Sequence, residues 1–213
     1  MKFAIASSAA LALALAAAPA WAASVNVTFA NGGSPTASDD IFQNFNSTPV
    51  GTSLGTNAAV YNGTTSGIAA RPAFGSTGNY GAVLGEPTDG SAHFAFGPTG
   101  SFGFTLGSLD TYNALQLFFD DLSSVTLTSG QIINGMSFPS GNQSSNNSNG
   151  FVRIYGVGAN LVGATFKSTS NSFEFDNLAT GVPEPTTWAM MILGLGVAGA
   201  AMRRRQTVSV KYA

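Results

Sequence analysis

Ser91-Ala92-His93-Phe94-Ala95-Phe96-Gly97-Pro98-Thr99-Gly100-Ser101-Phe102-Gly103-Phe104-Thr105-Leu106 decides the fold class. Ala92, Phe94 and Phe96 alternate with Ser91, His93 and Ala95; Phe102, Phe104 and Leu106 alternate with Ser101, Gly103 and Thr105. Successive side chains of a strand point to opposite faces, so this spacing gives each of two strands one apolar face and one polar face. Pro98 fixes φ and lacks a donor, and the flanking glycines tolerate a sharp reversal. Gly97 to Gly100 therefore predicts a hairpin turn.

The same period recurs outward from this stretch. Val25, Val27 and Phe29 alternate with polar residues, as do Val125 with Leu127 and Phe173 with Phe175. Ala114 to Phe119 and Phe151 to Tyr155 are more continuously apolar and predict central strands. Clusters of Gly, Asn and Ser separate these runs, and Ser140 to Gly150 reads as an exposed loop. No charged amphipathic helix interrupts them. The expected fold is all-β: an antiparallel β-sandwich of jelly-roll kind over residues 23–181. A β-solenoid needs a fixed repeat, and none is present. A flat ice-binding face needs Thr-x-Thr at each turn, and only Thr126-Leu127-Thr128 has that form.

Composition narrows the function classes. Of 213 residues only 8% are charged, against about 25% in an average soluble domain. The 44% of hydrophobic residues, including 16 Phe, suffice for a packed core. The absence of Cys excludes disulfides, thiolate metal sites and a Cys nucleophile, and a single His excludes multi-His zinc sites. Within the β stretch Arg71, Arg153 and Lys167 stand against nine carboxylates, a balance of −6, so nucleic acid and other polyanions are not expected partners.

The two ends carry different signals. Met1-Lys2, an uncharged Ala/Leu-rich run and Ala20-Trp21-Ala22 follow in the order of a secretory signal peptide, which predicts cleavage after Ala22 by signal peptidase. At the other end, residues 186–202 are uncharged and apolar, and Arg203-Arg204-Arg205 follows at once. Seventeen helical residues reach about 25 Å, a short transmembrane helix, with the arginines holding residues 203–205 and the tail 206–213 in the cytoplasm. Ahead of the span, Pro183-Glu184-Pro185 is extended and cannot join helix or sheet.

Pro183-Glu184-Pro185, Trp188-Ala189, the glycine-dotted apolar run and the Arg cluster together resemble the PEP-CTERM sorting signal of Gram-negative bacteria, in its PEPxxWA variety. The resemblance covers residues 182–205 and implies an exported protein, held for a time in the inner membrane and then cut near the Pro-Glu-Pro motif by an exosortase. Proteins of that family belong to systems that make exopolysaccharide, biofilm or surface layers. The tail is also known by an ice-binding protein C-terminal label, which describes the tail and implies no ice binding. The extension Gln206 to Ala213 departs from the pattern, since such signals stop soon after the arginines. More weakly, Gly107 to Asn113 and Phe173 to Asn177 are similar to stretches of exosortase-dependent surface proteins with a jelly-roll-like domain.

Residues with chemical potential are few. Alternation puts Glu174 and Asp176 on one face, about 7 Å apart and opposite Phe173 and Phe175. That face reads first as solvated, next as a calcium ligand pair, and last as the carboxylate pair of a glycosidase. Asp39, Asp40, Asp120 and Asp121 complete the candidate ligands for a structural calcium, which takes six to eight oxygens. Asp110, Tyr112 and Asn113 follow a Gly-Ser turn. They either satisfy that turn's own backbone groups or form a glycan contact with Tyr112 as the stacking ring. Tyr61, Tyr80 and Tyr155 are further candidate platforms. His93 receives no role, and no Ser stands in Gly-x-Ser-x-Gly. The expected function is thus a non-enzymatic surface or matrix protein that can bind exopolysaccharide. The alternatives are a secreted glycan hydrolase using Glu174 and Asp176, or a matrix component that self-associates through strand edges.

Overall fold

A computed structural model describes residues 23–181 and 191–199. The first stretch holds twelve strands: β1 (Ser24–Asn31), β2 (Asp39–Gln43), β3 (Ser53–Thr56), β4 (Ala58–Tyr61), β5 (Tyr80–Val83), β6 (Gly90–Thr99), β7 (Ser101–Gly107), β8 (Asn113–Phe119), β9 (Ser124–Thr128), β10 (Gly150–Val157), β11 (Leu161–Ser168) and β12 (Phe173–Gly181). One short helix, α1 (Ser129–Ile132), follows β9. All strand pairs are antiparallel, in the order β1-β10-β7-β12-β5-β4-β3-β6-β11-β8-β9, and β2 pairs with the C-terminal half of β12. The fold is therefore mostly β and antiparallel, as the alternation predicts. The sheet curls until its two outermost strands, β1 and β9, both meet α1, which leaves it nearly closed into a barrel.

The curl is held from inside by phenylalanine. Phe166 of β11 touches five other Phe rings: Phe175 of β12 stacks on it at 4.0 Å, and Phe104 of β7 meets it edge-on at 4.9 Å. Phe173 lies at 5.2 Å, Phe94 at 6.0 Å and Phe102 at 6.4 Å. Since β11 is hydrogen-bonded to neither β7 nor β12, these rings join distant parts of the sheet across the interior. Edge-on and offset arrangements place the positive rim of one ring on the negative face of the next, which adds to the gain from burial. Leu106, Leu115, Leu117, Val152 and Ile154 fill the space around them, all fully buried.

The segment around Gly97 does not form the expected hairpin. Gly97 to Thr99 continue β6, and β6 pairs with β3 and β11 while β7 pairs with β10 and β12. At the exposed Gly100 the chain passes from β6 to β7 without pairing the two, and Phe96 stacks on Phe102 at 5.1 Å with rings 10° apart. A period of two is the same whether two strands bond side by side or face each other, so alternation cannot separate these arrangements. The central positions expected of Ala114–Phe119 and Phe151–Tyr155 hold: β8 lies between β9 and β11, and β10 between β1 and β7.

Glu174 and Asp176 share one face of β12, as expected, but that face is not solvated: Glu174 is 2% and Asp176 1% exposed. The segment 62–79, between β4 and β5, lies over it. Ala70 and Ser76 from this segment bond to the two carboxylates, and Ala69 packs with Tyr80 and Ala82 in a small second core. Gly107 permits the close approach, because a Cβ there would stand 3.0 Å from Pro72 Cγ and 2.9 Å from Glu174 Cβ. Strand alternation reports one face as apolar and says nothing of a loop laid over the other.

Residues 191–199 are helical, and Met191, Ile192, Leu193, Leu195 and Val197 each expose more than half of their surface. Among the described residues no helix is long and apolar enough to cross a membrane. The remainder of the expected span 186–202 lies outside the described residues. So do the signal segment with Ala20 and Ala22, the motif residues Pro183, Glu184, Pro185 and Trp188, Arg203, Arg204 and Arg205, and the tail 206–213.

Candidate functional site

The β7–β8 connection, the start of β12 and two loops enclose a polar recess of about 220 Å³, lined among others by Ser108, Asp110, Tyr112, Asn171, Ser172 and Glu174. It brings together residues from both stretches with chemical potential in the sequence. Glu174 is its most buried carboxyl. Its Oε1 accepts the Ala70 N–H at 2.9 Å and the Ser172 hydroxyl, and its Oε2 accepts the Ser108 hydroxyl at 2.8 Å. Burial pushes the Glu174 carboxyl above its usual range, and the three donors only partly offset that. Both of its oxygens are thereby occupied.

Asp110 and Asn113 form the turn that feeds β8. The Asp110 N–H donates to Asn113 Oδ1 at 2.7 Å, and the Asn113 N–H returns to the Asp110 carbonyl at 3.1 Å. Asn113 Nδ2 continues to Ser168 Oγ and to the Ser172 carbonyl. Asn113 thus satisfies the turn and stands behind the recess, in line with the plainer of its two sequence readings. The Asp110 carboxylate does not cap the turn; its Oδ1 accepts the Ser140 hydroxyl at 2.9 Å. Burial raises its pKa. Tyr112 lines the recess half-buried and donates its hydroxyl to the Asn171 carbonyl. Burial, joined by the neighbouring Asp110 and Glu174 carboxylates, pushes the phenol up.

Asn149, which the sequence did not single out, holds the recess in shape. Fully buried, it accepts the Ser108 N–H at 2.8 Å and donates to the Asn142 and Ser145 carbonyls at 2.8 and 2.9 Å. The end of the expected exposed loop Ser140–Gly150 is therefore interior, with Ser148 and Asn149 both at 0% exposure. Nothing marks Asn149 among its Ser and Asn neighbours. Its importance comes from the unpaired backbone groups of an irregular loop, which need side-chain partners once buried.

Asp176 does not line the recess. Its Oδ2 accepts the Ser76 hydroxyl at 2.6 Å and its Oδ1 the Asn177 N–H at 2.7 Å, and burial pushes its pKa up to about 6. Asn177 adopts φ +47 where the pairing of β12 with β7 shifts register. This bulge explains why Phe173, Phe175 and Leu178 all reach the core although the last two are three residues apart.

The other acidic candidates are dispersed. Asp39 pairs with Arg153, whose Nε lies 2.9 Å from its Oδ1. Burial opposes ionisation there, but the Arg153 and Thr36 donors hold the Asp39 pKa below its usual value. Asp40 is exposed on the other side of β2. Asp120 accepts both the N–H and the amide of Asn160, and Asp121 accepts the Ser123 N–H and hydroxyl. Among the described residues no three His, Asp or Glu side chains converge as metal ligands. Of the tyrosines, Tyr80 is fully buried and donates to the Gly63 carbonyl, Tyr61 is half-buried, and Tyr155 is exposed. His93 Nδ1 lies 2.8 Å from Thr165 Oγ1.

The recess offers hydroxyls, amides and two reluctant carboxyls in a space below the roughly 300–1,000 Å³ usual for ligand sites. Its polar groups mostly satisfy one another. No curated protein and no solved structure matches the chain. Residues 181–205 match the family model of the PEP-CTERM protein-sorting motif. That match begins on the last residue of β12 and takes in Pro183-Glu184-Pro185, Trp188 and the Arg cluster. The chain thus carries a PEP-CTERM protein-sorting motif, which implies export and processing by exosortase.

Proposed function

We propose that this protein is a non-enzymatic surface component: a β domain released from a short-lived inner-membrane tether by exosortase and passed to the cell surface or the extracellular polysaccharide. The observation that carries the proposal is the junction at Gly181, where β12 ends and the matched sorting motif begins. A cut beside Pro183-Glu184-Pro185 falls after all twelve described strands, so the domain keeps their pairing after processing. In this reading residues 1–22 are a removable signal peptide, residues 186–202 the tether, and the curled sheet a flattened sandwich of jelly-roll kind.

The non-enzymatic part is supported by the carboxylates proposed for a hydrolase. Both oxygens of Glu174 are taken by protein donors, and Asp176 is sealed against Ser76 away from the recess. A glycosidase pair needs two carboxyl groups facing one bond, one of them free to take or give a proton. Low charge and abundant Ser, Thr and Asn suit a surface that hydrogen-bonds neutral sugars.

Intact-mass measurement of the protein from cell surface and medium, in hosts with and without exosortase, tests the reading. Expected is a mass ending near residue 183 only where exosortase is present. A tail-bearing mass in both hosts refutes it.

A further inference from the structure

An open groove of about 810 Å³ lies where β2, the end of β6 and the end of β12 meet, and it shares no lining residue with the polar recess. Asp40 and Phe42 of β2, Phe96 and Pro98 of β6, Asn160 of the β10–β11 loop and Thr180 of β12 line it. We propose that this groove is a binding site for a neutral polysaccharide chain, with Phe42 as its stacking platform and Asp40 as its principal hydroxyl acceptor. The proposal rests on the surface-protein reading and names the site through which that role is carried out.

Three observations point there. Phe42 is 42% exposed, large for a phenylalanine, and its ring lies 5.8 Å from Phe96 at a tilt of 48°. Phe96 is itself fixed by its parallel stack on Phe102, so the platform is set before any ligand arrives. An aromatic face of this kind covers the apolar C–H side of a sugar ring.

Second, Asp40 and Phe42 both line the groove, the bulge in the β2–β12 pairing turning Phe42 onto the side that Asp40 faces. A ring stacked on Phe42 presents its hydroxyl edge toward the Asp40 carboxylate. Asp39, on the opposite face, is engaged by Arg153, whereas Asp40 is exposed. Asn160 donates its N–H and its amide to Asp120, which fixes the side chain and leaves Oδ1 as an acceptor on the rim.

Third, the charge selects against anionic polymers. The lining contains a carboxylate and no cation, within a stretch of net charge −6. Acidic polysaccharides and anionic lipid surfaces are repelled, and uncharged chains are not. The volume lies within the roughly 300–1,000 Å³ of small-ligand sites, and the groove is open, so a chain can enter along its length.

Affinity electrophoresis of the processed protein tests this, in gels carrying dextran, amylose or galactomannan, with alginate as the acidic control. Expected is retardation by at least one neutral polymer and none by alginate. Phe42→Ala weakens that retardation about tenfold in dissociation constant, Phe42→Trp retains it, and Asp40→Ala weakens it. Both positions are exposed, so the thermal midpoint of each variant stays near that of the parent. No retardation of the parent by any neutral polymer, equal retardation of parent and Phe42→Ala, or retardation by alginate alone overturns the proposal. So does a concentration-dependent dimer in sedimentation that Phe42→Ala dissolves, since the groove then serves a second copy of the chain. None of these outcomes bears on exosortase processing, which the mass measurement tests separately.

Discussion

Asp176→Asn should flatten the pH dependence of stability between about pH 4 and about pH 6.5. Asp176 stands near pKa 6 in the fold, against 3.8 for the ordinary group, because burial disfavours its charge more than the Ser76 and Asn177 donors favour it. A carboxyl raised on folding favours the folded state while protonated, below pH 3.8, and that benefit is lost as pH rises through 6. The difference corresponds to about 3 kcal/mol between the two limits. Glu174, also raised, contributes in the same direction and remains in the variant. Asp39 acts with the opposite sign and below the window, its lowered pKa giving stability that is lost only in stronger acid. The amide keeps one acceptor oxygen for Ser76 or the Asn177 N–H, so loss of the other bond costs about 1 kcal/mol at every pH. The assay is urea unfolding of residues 23–181, which contain all twelve strands and both cores, followed by far-ultraviolet circular dichroism across the window. The parent should lose stability as pH rises, and the variant should lose less by about 3 kcal/mol. A flat parent profile, or a variant that falls as steeply as the parent, refutes the account of Asp176 as a buried, reluctantly ionised carboxyl.

Further expectations concern packing, loops and ions. Phe166→Ala removes the ring that five other Phe rings touch and should cost about 3–5 kcal/mol by urea unfolding; a loss below about 1 kcal/mol would contradict the described core. Asn149→Ala orphans the Ser108 N–H and the Asn142 and Ser145 carbonyls, so hydrogen exchange at Ser108 should accelerate at least tenfold while β8 to β11 keep their protection. Arg153→Ala strips Asp39 of its guanidinium partner and should cost about 1.5–3 kcal/mol at pH 7, less in acid strong enough to protonate Asp39 itself. Calcium or a chelator should leave the thermal midpoint unchanged, since Asp39, Asp40, Asp120, Asp121, Glu174 and Asp176 point to separate partners or to solvent; a rise of several degrees with calcium would show that they can regroup.

The legible parts of this chain are those written in local period. β1, β7, β8, β9, β10 and β12 each carry Val, Leu or Phe at every second place or in a short run, and each is a strand. β3, β4 and β5 are four residues long and built largely of Ala, Gly, Ser and Thr, too short for a period to stand out. β11 hides for another reason: a register shift at Gly163 breaks its alternation, although Phe166 at its centre anchors the interior. The polar recess was legible in part. Asp110, Tyr112 and Glu174 stood out as rare polar types beside apolar strands, but their meeting depends on segment 62–79 and on Asn149, which only the folded chain brings near. The sorting motif was legible throughout, because residue order and composition alone identify it.

The position of β12 has a bearing on timing. It is the last of the twelve described strands to be synthesised, yet it binds β7 on one side and β5 and β2 on the other. Until residue 181 has emerged, eleven strands wait around an empty central slot, and the aromatic interior lacks Phe173 and Phe175. On the proposed reading of residues 186–202 as a tether, the domain therefore completes its sheet just as the tether reaches the lipid, and exosortase meets a cargo that has just become compact.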